Sequence, residues 1–232
     1  MKADMHIHVS KFYPFSLEDM VEKCVREGYD LLIATDHLDN RRHRKLTRNQ
    51  WSKASLAFVI ECRKQGILGL LGAEIGVDRC HYLVYGLSIS RLWSCLPVSN
   101  SIDLISKVHE FGGLVIQAHP FRPNRYGKWV VDFLVDGYEI WNSHKENHLL
   151  MALALVQETG TLFTCGTDSH RFRHLCKARR IFNKEIKSNE DLVAALKEQH
   201  LEPLGKNLQK QKMLLFKTFH DETENNGQAK SE

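Results

Sequence analysis

Leu31-Leu32-Ile33-Ala34-Thr35-Asp36-His37 is an apolar run that stops in a hydroxyl, an acid and an imidazole. It reads as a short strand whose last residues carry chemistry. The same punctuation recurs along the chain at His6-Ile7-His8, Gly72-Ala73-Glu74, His81, Ala118-His119-Pro120 and Gly166-Thr167-Asp168-Ser169-His170. Six histidines and two carboxylates therefore stand where apolar runs give way to polar or turn residues. One such histidine means little. The set reads as a metal centre whose ligands arrive from the carboxyl ends of several parallel strands.

Between these points the pattern alternates strand-like and helix-like segments. Strands are expected over residues 3–8, 31–35, 67–73, 82–87, 114–117, 137–141 and 161–165, and helices over 17–27, 50–64, 102–111, 145–159 and 189–199. Ser16 is placed to cap the first helix, with Glu18 and Asp19 in its first turn, where the helix dipole favours acids. Alternation of this kind permits an open doubly wound sheet or a closed barrel. An open sheet concentrates its site at one switch point, whereas a barrel converges all its strand ends on one face. Ligands spread over six or seven strand ends need convergence. The expected fold is therefore a single α/β domain, a distorted TIM-like (β/α)7 barrel over residues 1–200. A basic, partly helical segment over 201–220 and a disordered tail over 221–232 follow it.

Bulk properties narrow the class. A chain of 232 residues with 43% hydrophobic and 26% charged residues suits one soluble domain. It has no long apolar run of membrane-spanning length, and its first residues lead straight into His6 without an apolar signal core. The six cysteines form no CxxC pair and read as reduced thiols, so a cytoplasmic protein is expected. The net charge of +4 is mild, but cations gather at 41–45, 171–173 and 177–180. Two of these clusters closely follow candidate ligands and are positioned to attract an anionic substrate. Basic residues are not interleaved with aromatics, so nucleic acid is a less favoured partner than a small phosphorylated molecule. No membrane partner is expected.

The residue types fit the chemistry. Imidazole suits Zn, Fe and Mn, whereas a carboxylate prefers harder ions and can bridge two. Glu74 has the reach to bridge. The i, i+2 spacings of His6 with His8 and of Asp168 with His170 put each pair on one face of an extended segment. Cations about 3.5–4 Å apart can clamp the attacking and leaving oxygens of a phosphoryl displacement. Arg122 and Arg171 are the candidates to neutralise phosphate oxygens through bidentate guanidinium contacts. Asp36 is read either as orienting a neighbouring ligand or as capping its loop, and Asn142 either as lining the pocket or as a turn residue. Cys80, one residue before His81, is expected to point away as buried filler.

Taken in this order, over roughly residues 1–180, these motifs resemble the PHP (polymerase and histidinol phosphatase) family. The resemblance implies a distorted (β/α)7 barrel with a two- or three-metal phosphoesterase centre. It places His6, His8, Glu74 and Asp168 around a first metal. Glu74 then bridges to a second, completed by His81 and His119, and His37 and His170 belong to a third. Where the family has an Asp or His about five residues after its first motif, this chain has Tyr13. A firmly held metal pair (Zn, Mn or Fe) and a weak third site are therefore expected. The activity implied is hydrolysis of a small phosphorylated metabolite or nucleotide phosphate ester by hydroxide formed on the metals. His119, Asp168, Arg122 and Arg171 are the expected catalytic residues. Amide or lactone hydrolysis on the same centre and a non-catalytic metal- or nucleotide-binding domain are the rival readings.

Overall fold

The computed structural model describes residues 1–11, 15–38, 47–123, 127, 129–142 and 147–198. Tyr13, the cationic cluster at 41–45, and the expected segments 201–220 and 221–232 lie outside the described residues.

Strand β1 (Lys2–Ile7) opens the chain and leads to helix α1 (Leu17–Arg26) and strand β2 (Leu31–Ala34). Ser16 and Asp19 form a reciprocal capping box that sets where α1 begins. Thr47 and Gln50 do the same for α2 (Arg48–Lys64). All four residues of β2 are buried, as a strand covered on both faces requires. Its residues alternate between two cores. Leu32 and Ala34 pack with Met20, Val21, Phe58 and Cys62 of α1 and α2, whereas Leu31 and Ile33 face a central cluster.

The expected strand over 67–73 is β3 (Leu68–Leu71), and a further strand that was not expected, β4 (Ala73–Val77), stands between it and β5 (Cys80–Tyr85). Then come α3 (Ile89–Ser94), α4 (Ser101–Glu110), β6 (Leu114–Gln117), β7 (Gly137–Asn142), α5 (Asn147–Thr159), β8 (Leu162–Gly166), β9 (Arg180–Ile181) and α6 (Asn189–Glu198). Leu192, Ala195 and Leu196 of α6 join the central cluster beside Leu31, Leu114 and Leu162, the first residues of their strands. One end of the strand array is thus plugged with aliphatic side chains. The carboxyl ends of the parallel strands are left for the site.

The mixed α/β character is as expected, but a closed (β/α)7 barrel is not formed among the described residues. The strands make a four-stranded sheet, β3-β2-β1-β9, and a five-stranded sheet, β4-β5-β6-β7-β8. Two features of the chain account for this. First, β4 and β5 are joined by Asp78-Arg79 alone, both with left-handed backbone (φ 51° and 67°). A two-residue link of that kind makes an antiparallel hairpin and leaves no room for a helix. Second, β1 divides its free edge. Lys2 and Ala3 pair antiparallel with β9, while the end of β1 meets the segment after β8 through a single bridge, Ile7 to Ser169. At the other seam one bridge, His37 to Glu74, joins the two sheets. No helix among the described residues is long and apolar enough to cross a membrane.

Candidate metal centre

Both single bridges between the sheets lie at candidate ligands, so the seams converge on the site. His6 is the last residue but one of β1, His8 lies just beyond its end, and Gly166 lets β8 come alongside. A Cβ added at Gly166 would meet the His6 Cβ at 2.3 Å. Beyond it Asp168 N donates to His6 O at 2.8 Å and His8 N donates to Ser169 O at 3.2 Å. His119 and Asp168 both adopt left-handed backbone (φ 32° and 48°), uncommon for residues with side chains and concentrated at functional turns.

Glu74 lies at the centre, essentially buried. Its Oε1 lies 2.6 Å from His81 Nδ1 and 3.4 Å from His119 Nε2. Its Oε2 lies 3.0 Å from His37 Nδ1, 3.2 Å from His8 Nε2 and 3.7 Å from His6 Nε2. Asp168 Oδ1 stands across the hollow, 3.0 Å from His8 Nε2, 3.4 Å from His6 Nε2 and 3.3 Å from His170 Nδ1. All eight side chains expected to hold metal are therefore brought together. Donor atoms of seven of them form three overlapping groups, His6, His8, Glu74 and Asp168; His37, Glu74 and His81; and His8, His37 and His170, with His119 beside Glu74. The third group shares His8 with the first. It shares His37 with the second as well.

The donor set fits divalent cations. Glu74 Oε2, His119 Nε2 and His8 Nδ1 are buried and lack a hydrogen-bond partner although other polar groups crowd them. Buried polar atoms are ordinarily satisfied, and a cation is what this collection of lone pairs would share. Without one, protons supply the positive charge. Burial works against charge on Glu74 and Asp168, yet the imidazoles hold both carboxyls well below their ordinary values. Burial likewise opposes protonation of His6, but Glu139 and Asp168 outweigh it and hold that imidazole well above its ordinary value. His8 and His81 are raised in the same way by Asp168 and Glu74.

Two acids missed in the sequence support this shell. Glu139, buried in β7, accepts from His6 Nδ1 at 2.8 Å through Oε1. Through Oε2 it accepts from His119 N and from Asn142 Nδ2, each at 3.0 Å. Asp4, two residues before His6, accepts from Thr167 N at 2.9 Å and Thr167 Oγ1 at 2.6 Å, and burial pushes its carboxyl up to about 7. The available signal was an acid inside an apolar strand, in Ala3-Asp4-Met5 and Tyr138-Glu139-Ile140. The ligand punctuation at the strand ends drew attention away from the strand interiors.

Other candidates fall into place around the cluster. Arg122 Nη1 lies 3.4 Å from Asp168 Oδ2, with its side chain 54% exposed at the rim. Arg171 is exposed beside His170, and among the described residues no ion pair joins it to the carboxylates. Asp36 Oδ1 accepts from Ser10 N and Ser10 Oγ and lies 4.0 Å from His8 Nδ1, so it caps the turn after β1. Cys80 Sγ is directed toward Val130 O, away from the metal ligands.

Comparisons with known proteins find likenesses in sequence and in fold. Residues 146–201 match the family model described as PHP-associated, a stretch that includes Asp168 and His170. That stretch of the chain is similar to the PHP family. An uncharacterized protein of Methanocaldococcus jannaschii is 27% identical over 169 residues, 67% of this chain and 90% of that one. PsfC of Pseudomonas syringae has a similar structure, with TM-score 0.64 at 16% identity over 96% of this chain and 98% of that one. A two-domain protein of Bacteroides vulgatus containing a predicted PHP-like metal-dependent phosphoesterase gives TM-score 0.60 at 20% identity over 75% of this chain. This chain spans about half of that protein's length, 53%.

Proposed function

We propose that this chain is a metal-dependent hydrolase acting on phosphate esters of small molecules. The observation that carries the reading is Glu74, whose two carboxylate oxygens face two different sets of imidazoles within 3.7 Å. His6, His8, Glu74 and Asp168 would hold one divalent cation. His37, Glu74 and His81, with His119 beside them, would hold a second. His8, His37 and His170 would form a third position, weaker because Tyr13 stands where the PHP family has an Asp or His. Such cations lower the pKa of water and neutralise charge on the phosphoryl oxygens. Around them the protein holds the ligand carboxylates ionised, aligns the imidazoles through Glu139 and presents the Arg122 guanidinium at the mouth. Arg122 favours phosphate over a neutral amide, because a guanidinium pairs with phosphate oxygens and gains little from an uncharged carbonyl.

The test is elemental analysis of the purified chain, then hydrolysis of p-nitrophenyl phosphate and a panel of phosphate monoesters and diesters with Mn or Zn supplied. Turnover that His119→Ala abolishes is the expected result. Bound metal without hydrolysis of any ester, or hydrolysis of amides in preference, overturns the reading.

A further inference from the structure

Away from the cluster, the Cys24 and Cys176 sulfurs lie 3.7 Å apart, although 151 residues separate them in the chain. Cys24 is buried on the inner side of α1, packed with Met20, Val21 and Phe58. Cys176 is half-buried in the segment that follows His170. That segment is already fastened to α1. Lys23 Nζ donates to Phe172 O at 3.0 Å and lies over the Phe172 ring, Phe172 stacks on Phe15 at 4.2 Å, and Leu175 is buried in the same core as Cys24. Cys176 itself has left-handed backbone (φ 67°), which a side-chain-bearing residue adopts where its surroundings dictate it. Packing thus holds two thiols together, one of them reachable from solvent.

We propose that Cys24 and Cys176 are a reversible dithiol–disulfide pair that locks the His170-bearing segment onto α1 when the protein meets a peroxide. Cys176 is the sulfur that solvent reaches, so it is the attacking thiolate. Its sulfur attacks one peroxide oxygen, the oxygen–oxygen bond breaks, and the departing hydroxide takes a proton to leave as water. The sulfenic acid so formed is then attacked by the Cys24 sulfur. The sulfur–sulfur bond forms, the sulfur–oxygen bond breaks, and the Cys24 proton leaves with that oxygen in a second water. Two thiols are oxidised by two electrons and one peroxide is reduced to two waters.

The experiment treats the full chain with hydrogen peroxide, blocks remaining thiols with N-ethylmaleimide under denaturing conditions, and measures intact mass and tryptic peptides. Two fewer adducts than the six cysteines allow, with a Cys24–Cys176 linked peptide that dithiothreitol releases, is the expected result. Six adducts after treatment, a Cys24–Cys62 link, or links only between molecules overturns the proposal. In Cys24→Ser, Cys176 should stop at a sulfenic acid that dimedone traps. Cys176→Ser, at the half-buried position, should leave Cys24 unoxidised, and it decides the matter if the buried substitution prevents folding. The readout is thiol chemistry alone, so it stands or falls separately from the hydrolase reading.

Discussion

Glu139 Oε1 and His6 Nδ1 are 2.8 Å apart and both side chains are fully buried. The bond directs the His6 Nδ1 proton at Glu139, so Nε2, facing Glu74 and Asp168, is the nitrogen left for a cation. The second Glu139 oxygen accepts the His119 N–H, so one carboxylate supports imidazoles on both sides of Glu74. Glu139→Gln has one acceptor oxygen for three donors, His6 Nδ1, His119 N and Asn142 Nδ2. Metal affinity should fall about 10–100-fold, the usual consequence of losing an outer partner of a ligating histidine. Competition against a chromophoric chelator measures it, and an unchanged affinity removes Glu139 from the site.

Metal and protons should exchange in this hollow. The lowered carboxyls of Glu74 and Asp168 add stability above their ordinary values, and that stability is lost as pH falls through their folded values. The raised imidazoles of His6, His8 and His81 add stability below 6.5, lost as pH rises through their folded values. Asp4, raised to about 7 by burial, works in the same direction as the imidazoles. Metal-free protein should therefore be most stable in weakly acidic solution and weaken above neutrality, while divalent metal restores it with release of protons. Thermal unfolding across pH with and without metal tests this. A metal-free melting temperature that keeps climbing from about pH 6 to about pH 9 contradicts it.

The ligands were legible because each interrupts an apolar run at a strand end, and that local signal survives without knowledge of the partners. His6, His37, His119 and Asp168 needed nothing more. Strand pairing was less legible. The alternation of strands and helices suggested a uniform parallel barrel, and Asp78-Arg79 lacks the Asn-Gly or Asp-Gly signature that would have marked a hairpin and so revealed β4 before it. Glu139 and Asp4 were hidden for another reason. A buried acid is recognised by what it touches, and His6 Nδ1 and Thr167 lie 133 and 163 residues away.

Arg122 separates substrate binding from metal binding. Its guanidinium is half-exposed at the rim and reaches only the outer oxygen of Asp168, 3.4 Å away. Arg122→Ala should leave metal content unchanged and raise KM for phosphate esters. The rise should be roughly tenfold or more, the worth of a hydrogen bond to a charged group. Loss of metal from this variant, or equal effects on charged and neutral substrates, would show that Arg122 serves the ligands and not the ester.

Gly166 tests whether the contact between β8 and β1 builds the site. A methyl group there would lie 2.3 Å from the His6 Cβ and 2.5 Å from the His6 N, atoms of a neighbouring strand that cannot swing aside. Relief requires the two strands to part where Asp168 N donates to His6 O. Gly166→Ala should then destabilise the metal-free protein by about 1–3 kcal/mol, as overpacking does. It should also weaken metal binding, because His6 and Asp168 move apart together. Gly127→Ala is the control: its φ is positive, at 74°, unlike that of Gly166, and an added Cβ meets nothing within 4 Å. Its cost should be confined to stability, with affinity for metal unchanged. Both variants are read by thermal unfolding and chelator competition. If Gly166→Ala loses stability while binding metal as tightly as the parent, the strand contact serves the core alone.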